Sequence, residues 1–121
     1  AGIWYDTMAV MVADTPEGAA ARAAMGAASG TDQAGFEAQL AATKLFPTAA
    51  EAVTFTTSPD LKVTMDKVRS FLFDKGLLGN GAPSADIIGI ELPDGEVLGD
   101  AANIKLRFTD SYMKAAADGT L

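Results

Sequence analysis

The most concentrated recognition chemistry in the sequence is the run Trp4-Tyr5-Asp6. Aromatic faces next to a carboxylate suit a small cationic or urea-like solute, which they would hold by ring stacking and charge-assisted hydrogen bonds. Trp4 and Asp6 are therefore the candidate substrate-binding residues. The structural alternative is that Trp4 belongs to a core and that Asp6 faces solvent or caps a helix.

A second group of candidates lies in the glycine-rich stretch GLLGNGAPSADIIGIELPDGEVLG, residues 76–99. Its GNGAPS segment is like a phosphate loop, but such loops follow a strand and open a helix, whereas this one is predicted to follow a helix and precede a strand. Asp94, Glu96 and Asp100 could hold a hard cation, yet their spacing differs from that of calcium loops. We predict no phosphate or metal site here. Asp94 and Glu96 are interpreted as a solvated hairpin tip and not as paired catalytic carboxylates.

The composition excludes several classes of function. The 121 residues include no cysteine and no histidine. Thiol nucleophiles, disulfides, thiolate or imidazole metal sites and a Ser-His-Asp triad therefore cannot be built from this chain. A net charge of −7 argues against nucleic acid as a partner, because phosphate backbones require a basic surface. We predict a protein that is not an enzyme, with no catalytic residues, no metal and no cofactor.

Capping and turn signals predict a mainly α-helical chain with a small β-hairpin and a third short strand. A Thr-Pro pair, a Thr-x-x-Glu capping box and a Ser-Pro pair mark helix starts, and glycines mark helix ends. The predicted helices cover about residues 3–12, 16–29, 33–43, 49–55, 59–75 and 111–118. The alternation of residues 88–92, the Pro-Asp-Gly turn at 93–95 and the alternation of residues 104–108 predict the three strands. Lys105 and Arg107 on the third strand would either bind an anion or form a solvated edge.

Two of the predicted helices carry apolar residues outside a single stripe. Residues 3–12 are apolar on nearly every side, which is typical of a helix that is buried on nearly every side. In the helix 59–75, the residues Leu61, Met65, Val68 and Leu72 form one stripe that we expect to face a core. Val63 and Phe73 lie off that stripe, so they are either ordinary surface residues or are covered by a second body.

Three stretches carry a family resemblance: GIWYDTMAVM, ATKLFPTAAEAVTFTTSPDL and NIKLRFTDSYMKAAADGTL. They resemble the periplasmic substrate-binding proteins of ABC importers of the nitrate/sulfonate/taurine type. The branch found near urea carboxylase, linked to urea or guanidine uptake, is the most similar. The resemblance implies a protein with two α/β lobes that close on a solute. Residues 1–121 would be its C-terminal helical part, with residues 1–75 helical, 76–108 a glycine-rich β-hairpin insertion and 109–121 a terminal helix.

Two functional hypotheses follow. The resemblance implies the solute-binding component of an ABC transporter in the periplasm, with a small nitrogenous solute and the membrane permease as partners. The apolar surfaces also favour a self-standing helical module for protein interaction or dimerisation. We expect the isolated chain to form a homo-oligomer and to bind solute weakly or not at all, because most of the walls of such a cleft would be absent.

Overall fold

The computed structural model describes residues 1–120, which form six α-helices and a three-stranded sheet. The mainly helical fold class with three short strands is therefore confirmed. The helices are α1 (Gly2–Val12), α2 (Pro16–Ala28), α3 (Gln33–Ala41), α4 (Ala49–Thr56), α5 (Pro59–Asp74) and α6 (Ser111–Ala117). The strands are β1 (Gly89–Glu91), β2 (Val97–Leu98) and β3 (Ile104–Arg107), and a 3-10 turn (Ala85–Ile87) precedes β1.

The chain divides into two compact units. Unit 1 consists of Ala1–Ala52 together with the C-terminal residues from Met113 onward, and unit 2 is Val53–Tyr112. Each unit has buried apolar residues of its own. Those of unit 1 are Met8, Met11, Ala49 and Ala52, and those of unit 2 are Leu61, Ile90, Leu92 and Leu98.

The predicted capping residues begin the helices as expected. The Thr15 hydroxyl accepts a hydrogen bond from the Gly18 amide at 3.1 Å, and the Asp32 carboxylate accepts one from the Gly35 amide at 2.8 Å. The capping box that opens α4 is reciprocal, because the Thr48 amide donates to the Glu51 carboxylate while the Glu51 amide donates to the Thr48 hydroxyl. These bonds satisfy amides that have no partner within the helix.

In unit 1, the small residues of α2 allow the neighbouring backbone to approach closely. A β-carbon added at Gly18 would lie 2.2 Å from the Ala13 carbonyl oxygen, and one added at Gly26 would lie 2.9 Å from the Asp32 carbonyl oxygen. Both distances are below any normal contact, so both positions require glycine. This close packing places the C-terminal end of α1 directly against α2.

In unit 2, β1 is the central strand of the sheet, whose order is β2-β1-β3. The predicted hairpin is confirmed, since β1 and β2 are antiparallel with Ile90 opposite Leu98. β3 pairs with the other edge of β1 in the parallel direction, which the sequence pattern did not reveal. Leu61 of α5 joins Ile90, Leu92 and Leu98 in the buried cluster.

The packed face of α5 is rotated from the one that the apolar stripe predicted. Leu61 and Met65 do contact the core cluster, but Val68 is exposed and Leu72 is only half-buried. The expectation that Val68 faces the core is therefore wrong. Arg69 lies on the packed side in its place, because the segment that contains the 3-10 turn packs against α5 there and supplies the carboxylate of Asp86.

Candidate functional site

Trp4 and Asp6 both lie on α1 and both are exposed. Residues two positions apart on an α-helix are separated by about 200° around its axis, so these two side chains project from opposite sides of α1. The helix does not bring the aromatic ring and the carboxylate together. Tyr5, which lies between them, is half-buried.

The side of α1 that buries Met8 and Met11 continues to Trp4, one turn before Met8. Trp4 is nevertheless 62% exposed, whereas Met8 and Met11 are about 6% and 5% exposed. Ile3, which is 84% exposed, and Val10 lie on the opposite side of the helix. The expectation that this helix is buried on nearly every side is therefore not met within the described residues, which cover only one side of it.

We define the α1 apolar surface as the four exposed large apolar residues of this helix, which are Ile3, Trp4, Val10 and Val12. Single exposed apolar residues are ordinary on protein surfaces, but here four large ones lie within three helical turns, with Trp4 on the side of Met8 and with Ile3 and Val10 on the opposite side. Such groups are typical of surfaces that contact another folded body.

A cleft of about 280 Å³ lies at the C-terminal end of α1 within unit 1, and we call it the α1–α3 cleft. Its apolar walls come from Met11, Val12, Leu40 and Leu45. Its charged lining residues are Asp14, Arg22 and Glu37. Sequence reasoning missed this cleft, because its lining comes from four separate segments with no common spacing.

Arg22 organises the α1–α3 cleft from α2. Its Nη1 atom donates to the carbonyl oxygens of Met11 at 2.9 Å and Ala13 at 3.0 Å, and its Nε atom donates to Glu37 Oε1 at 2.8 Å. The guanidinium thus caps carbonyls at the end of α1, where the helix dipole favours a positive charge. It also joins that end to α3, which carries Glu37.

Glu37 stays ionised at lower pH than an ordinary glutamate. Gln33 Nε2 donates to Glu37 Oε1 at 2.9 Å, and Arg22 donates to the same oxygen. The hydrogen bond from Gln33 and then that from Arg22 lower the pKa of Glu37 below its ordinary value of 4.5. Both bonds favour the charged form of the carboxyl group.

The hairpin carboxylates in unit 2 are engaged locally. Asp94 Oδ1 accepts from the Glu96 amide at 3.0 Å, Asp100 Oδ1 accepts from the Ala102 amide at 2.8 Å, and the Glu96 carboxylate forms an ion pair with Lys62. Within residues 1–120, no group of three or more acidic side chains is placed to hold a metal ion. These three residues shape the turns.

The glycine-rich loop follows α5 and precedes β1, as expected, with the 3-10 turn between the loop and the strand. With Phe73 it borders a small cavity of about 180 Å³. On the third strand, Arg107 Nε donates to Glu91 Oε2 at 2.8 Å, and Lys105 is exposed. Arg107 therefore binds the neighbouring strand β1.

Arg69 is the central polar residue of unit 2, and sequence reasoning missed it. Its guanidinium contacts Asp66 at 2.7 Å and also pairs with Asp86 in the 3-10 turn. Burial by itself lowers the pKa of Arg69, but the hydrogen bonds to Asp66 and Asp86 outweigh that effect and raise the pKa above its ordinary value. The signal in the sequence was the spacing of Leu61, Met65 and Arg69, which places Arg69 one turn beyond two core residues.

Comparison of the chain with protein-family models, with curated proteins and with solved structures found no match. None of the helices among residues 1–120 has the length and apolar character needed to cross a membrane.

Proposed function

We propose that the chain is part of the solute-binding component of an ABC importer of the nitrate/sulfonate/taurine type, in the urea-carboxylase-associated branch. In this proposal the α1 apolar surface packs against the α/β lobes of the same protein, and the lobes hold most of the solute cleft. The component would capture a small nitrogenous solute in the periplasm and deliver it to the membrane permease. No bond of the solute is made or broken.

The exposure of the α1 apolar surface is the observation that supports this proposal most. Trp4 and Ile3 are 62% and 84% exposed on a helix that carries apolar residues on nearly every side. Burying large apolar side chains contributes about 1.5–3 kcal/mol each, so a covering body would gain substantial binding free energy here. The resemblance of the stretch GIWYDTMAVM supports the lobes of a binding protein as that body.

The same exposure favours a second candidate function, a helical module that dimerises or binds another protein. α5 also exposes Val63, Val68 and Phe71 to solvent. A second copy of the chain could cover these residues without any importer lobes. The two candidates differ in the body that covers the apolar residues and in whether a solute is bound.

A solute screen on the protein as its gene encodes it tests the importer proposal. We expect urea, guanidinium, taurine or nitrate to raise its melting temperature, because a ligand that binds only the folded state stabilises that state. The 121-residue chain alone should show no such shift. An absence of shift with all four solutes, or micromolar binding by the 121-residue chain, would contradict the proposal.

Sedimentation velocity on the 121-residue chain tests the dimerisation candidate. We expect association that weakens when Trp4 and Ile3 are replaced with serine, while the matched exposed replacement Leu77→Ser in unit 2 leaves the association unchanged. A stable monomer over the accessible concentration range would argue against dimerisation.

A further inference from the structure

We propose that the α1–α3 cleft binds a small organic cation with an aliphatic body, such as a primary alkylammonium ion. The proposal concerns unit 1 alone, and it does not rest on the importer function. The site is also separate from Trp4 and Asp6, which lie on the earlier turns of α1.

The size and the walls of the cleft set the shape of the ligand. A volume of about 280 Å³ admits a molecule of a few carbon atoms, and side chains of Met11, Val12, Leu40 and Leu45 line it. Apolar walls with a few polar groups are the usual composition of small-molecule sites. An aliphatic chain of a few carbons would displace water from these walls.

The polar groups of the cleft set the charge of the ligand. Both N–H groups of Arg22 Nη1 donate to backbone carbonyls, and the N–H of Nε donates to Glu37. Three of the five donors of Arg22 therefore already have partners within the protein. Asp14 is exposed at the rim and forms no salt bridge within residues 1–120. Two carboxylates against one guanidinium leave the cleft with a net charge of −1.

The position of each group gives the expected binding mode. Gln33 and Arg22 both donate to Oε1 of Glu37, which leaves Oε2 to accept a hydrogen bond from a ligand. The Asp14 carboxylate can accept another, while the aliphatic body lies against Met11 and Leu40. An anion would meet two carboxylates and an arginine that is already paired, so charge complementarity selects a cation.

The test is an NMR titration of the 121-residue chain with n-butylammonium chloride at constant ionic strength, with 1-butanol as the neutral analogue of the same body. We expect saturable shifts of the Ala13, Asp14 and Glu37 amides with butylammonium, and weaker binding of butanol. A lack of saturable shifts at these amides, or equal affinity for the two probes, would overturn the proposal.

Two variants with the same change in charge sharpen the test. Asp14→Asn removes the rim carboxylate and should weaken butylammonium binding about fivefold, the effect of one solvent-accessible charge pair. Glu17→Gln removes an exposed carboxylate from the first turn of α2, outside the cleft lining, and should leave the affinity unchanged. If both variants bind as the wild type does, or if both lose affinity equally, the assignment to this cleft is overturned.

Discussion

Replacing Gly99 with alanine should destabilise the sheet of unit 2 far more than replacing Gly81 with alanine. Both glycines have a positive φ, 81° at Gly99 and 79° at Gly81, so alanine pays the cost of the left-handed conformation at both. They differ in their surroundings. A β-carbon at Gly99 would lie 2.1 Å from the Ile88 carbonyl oxygen, whereas one at Gly81 has nothing within 4 Å.

The size of each loss of stability follows from the left-handed backbone conformation and, at Gly99, from the close contact with a carbonyl oxygen. The left-handed conformation costs alanine about 1–2 kcal/mol relative to glycine. At Gly99 the forced contact with backbone adds about 1–3 kcal/mol, the usual range for overpacking, since a carbonyl oxygen cannot move aside as a flexible side chain can. We therefore expect the free energy of unfolding to fall by about 1–2 kcal/mol in Gly81→Ala and by about 2–5 kcal/mol in Gly99→Ala.

Native-state hydrogen exchange of the β1 amides measures this difference at the sheet itself. The β1 amides should exchange much faster in Gly99→Ala than in Gly81→Ala. Equal protection in the two variants would refute the reasoning, because it would mean that the close approach of Gly99 to Ile88 does not constrain the sheet.

Three further predictions concern the core of unit 2, the ion pairs of Arg69 and the hydrogen bonds of Glu37. Leu92→Ala should destabilise unit 2 by about 2–5 kcal/mol in urea unfolding, because Leu92 is buried in its core cluster, and a loss below 1 kcal/mol would contradict that burial. Arg69→Leu should lower the free energy of unfolding by about 1–3 kcal/mol, because it removes the ion pairs with Asp66 and Asp86. Lys67→Leu, on the exposed side of α5, should change it by less than about 0.5 kcal/mol. Similar losses in the two variants would argue against the ion pairs of Arg69. The lowered pKa of Glu37 means that its carboxylate stabilises the fold above about pH 4.5 and loses this contribution as the pH falls through the folded-state pKa. The midpoints of urea unfolding at about pH 6 and pH 3.5 should therefore differ less in Glu37→Gln than in the wild type. An unchanged difference would contradict the role of the hydrogen bonds that the Glu37 carboxylate accepts.

Local signals in the sequence predicted the helices and the hairpin well. A capping bond joins residues two or three positions apart, so the pairs Thr15–Gly18 and Thr48–Glu51 are visible in the sequence itself. The positive φ of Gly30 and Gly76, just beyond α2 and α5, follows from the same short-range geometry. Such features depend on neighbours along the chain and not on the tertiary fold.

Features that depend on distant residues were not predictable. The parallel pairing of β3 with β1 joins residues about fifteen positions apart, and nothing in the alternation of either strand specifies its direction. The rotation of α5 likewise depends on residues that are distant in the sequence. The apolar stripe suggested that Val68 faces the core, whereas Val68 is exposed and Arg69 is the part-buried residue, paired with Asp86.

The candidate site likewise combines features that are visible in the sequence with features that depend on distant residues. The aromatic and acidic character of Trp4 and Asp6 is visible in the sequence, and the 100° step between helical residues already separates the two side chains once the helix is accepted. The α1–α3 cleft, by contrast, requires α2 and α3 to fold against the end of α1. Arg22, the one basic residue of the alanine-rich α2, was the available signal.

Hydroxyl-radical footprinting of α1 shows whether another folded body covers the α1 apolar surface. The oxidation rates of Ile3 and Trp4 would be compared between the natural protein purified from its source and the dilute 121-residue chain, each normalised to its urea-unfolded state. We expect both residues to be strongly protected in the natural protein and reactive in the dilute chain. Equal, high reactivity in both samples would contradict this expectation.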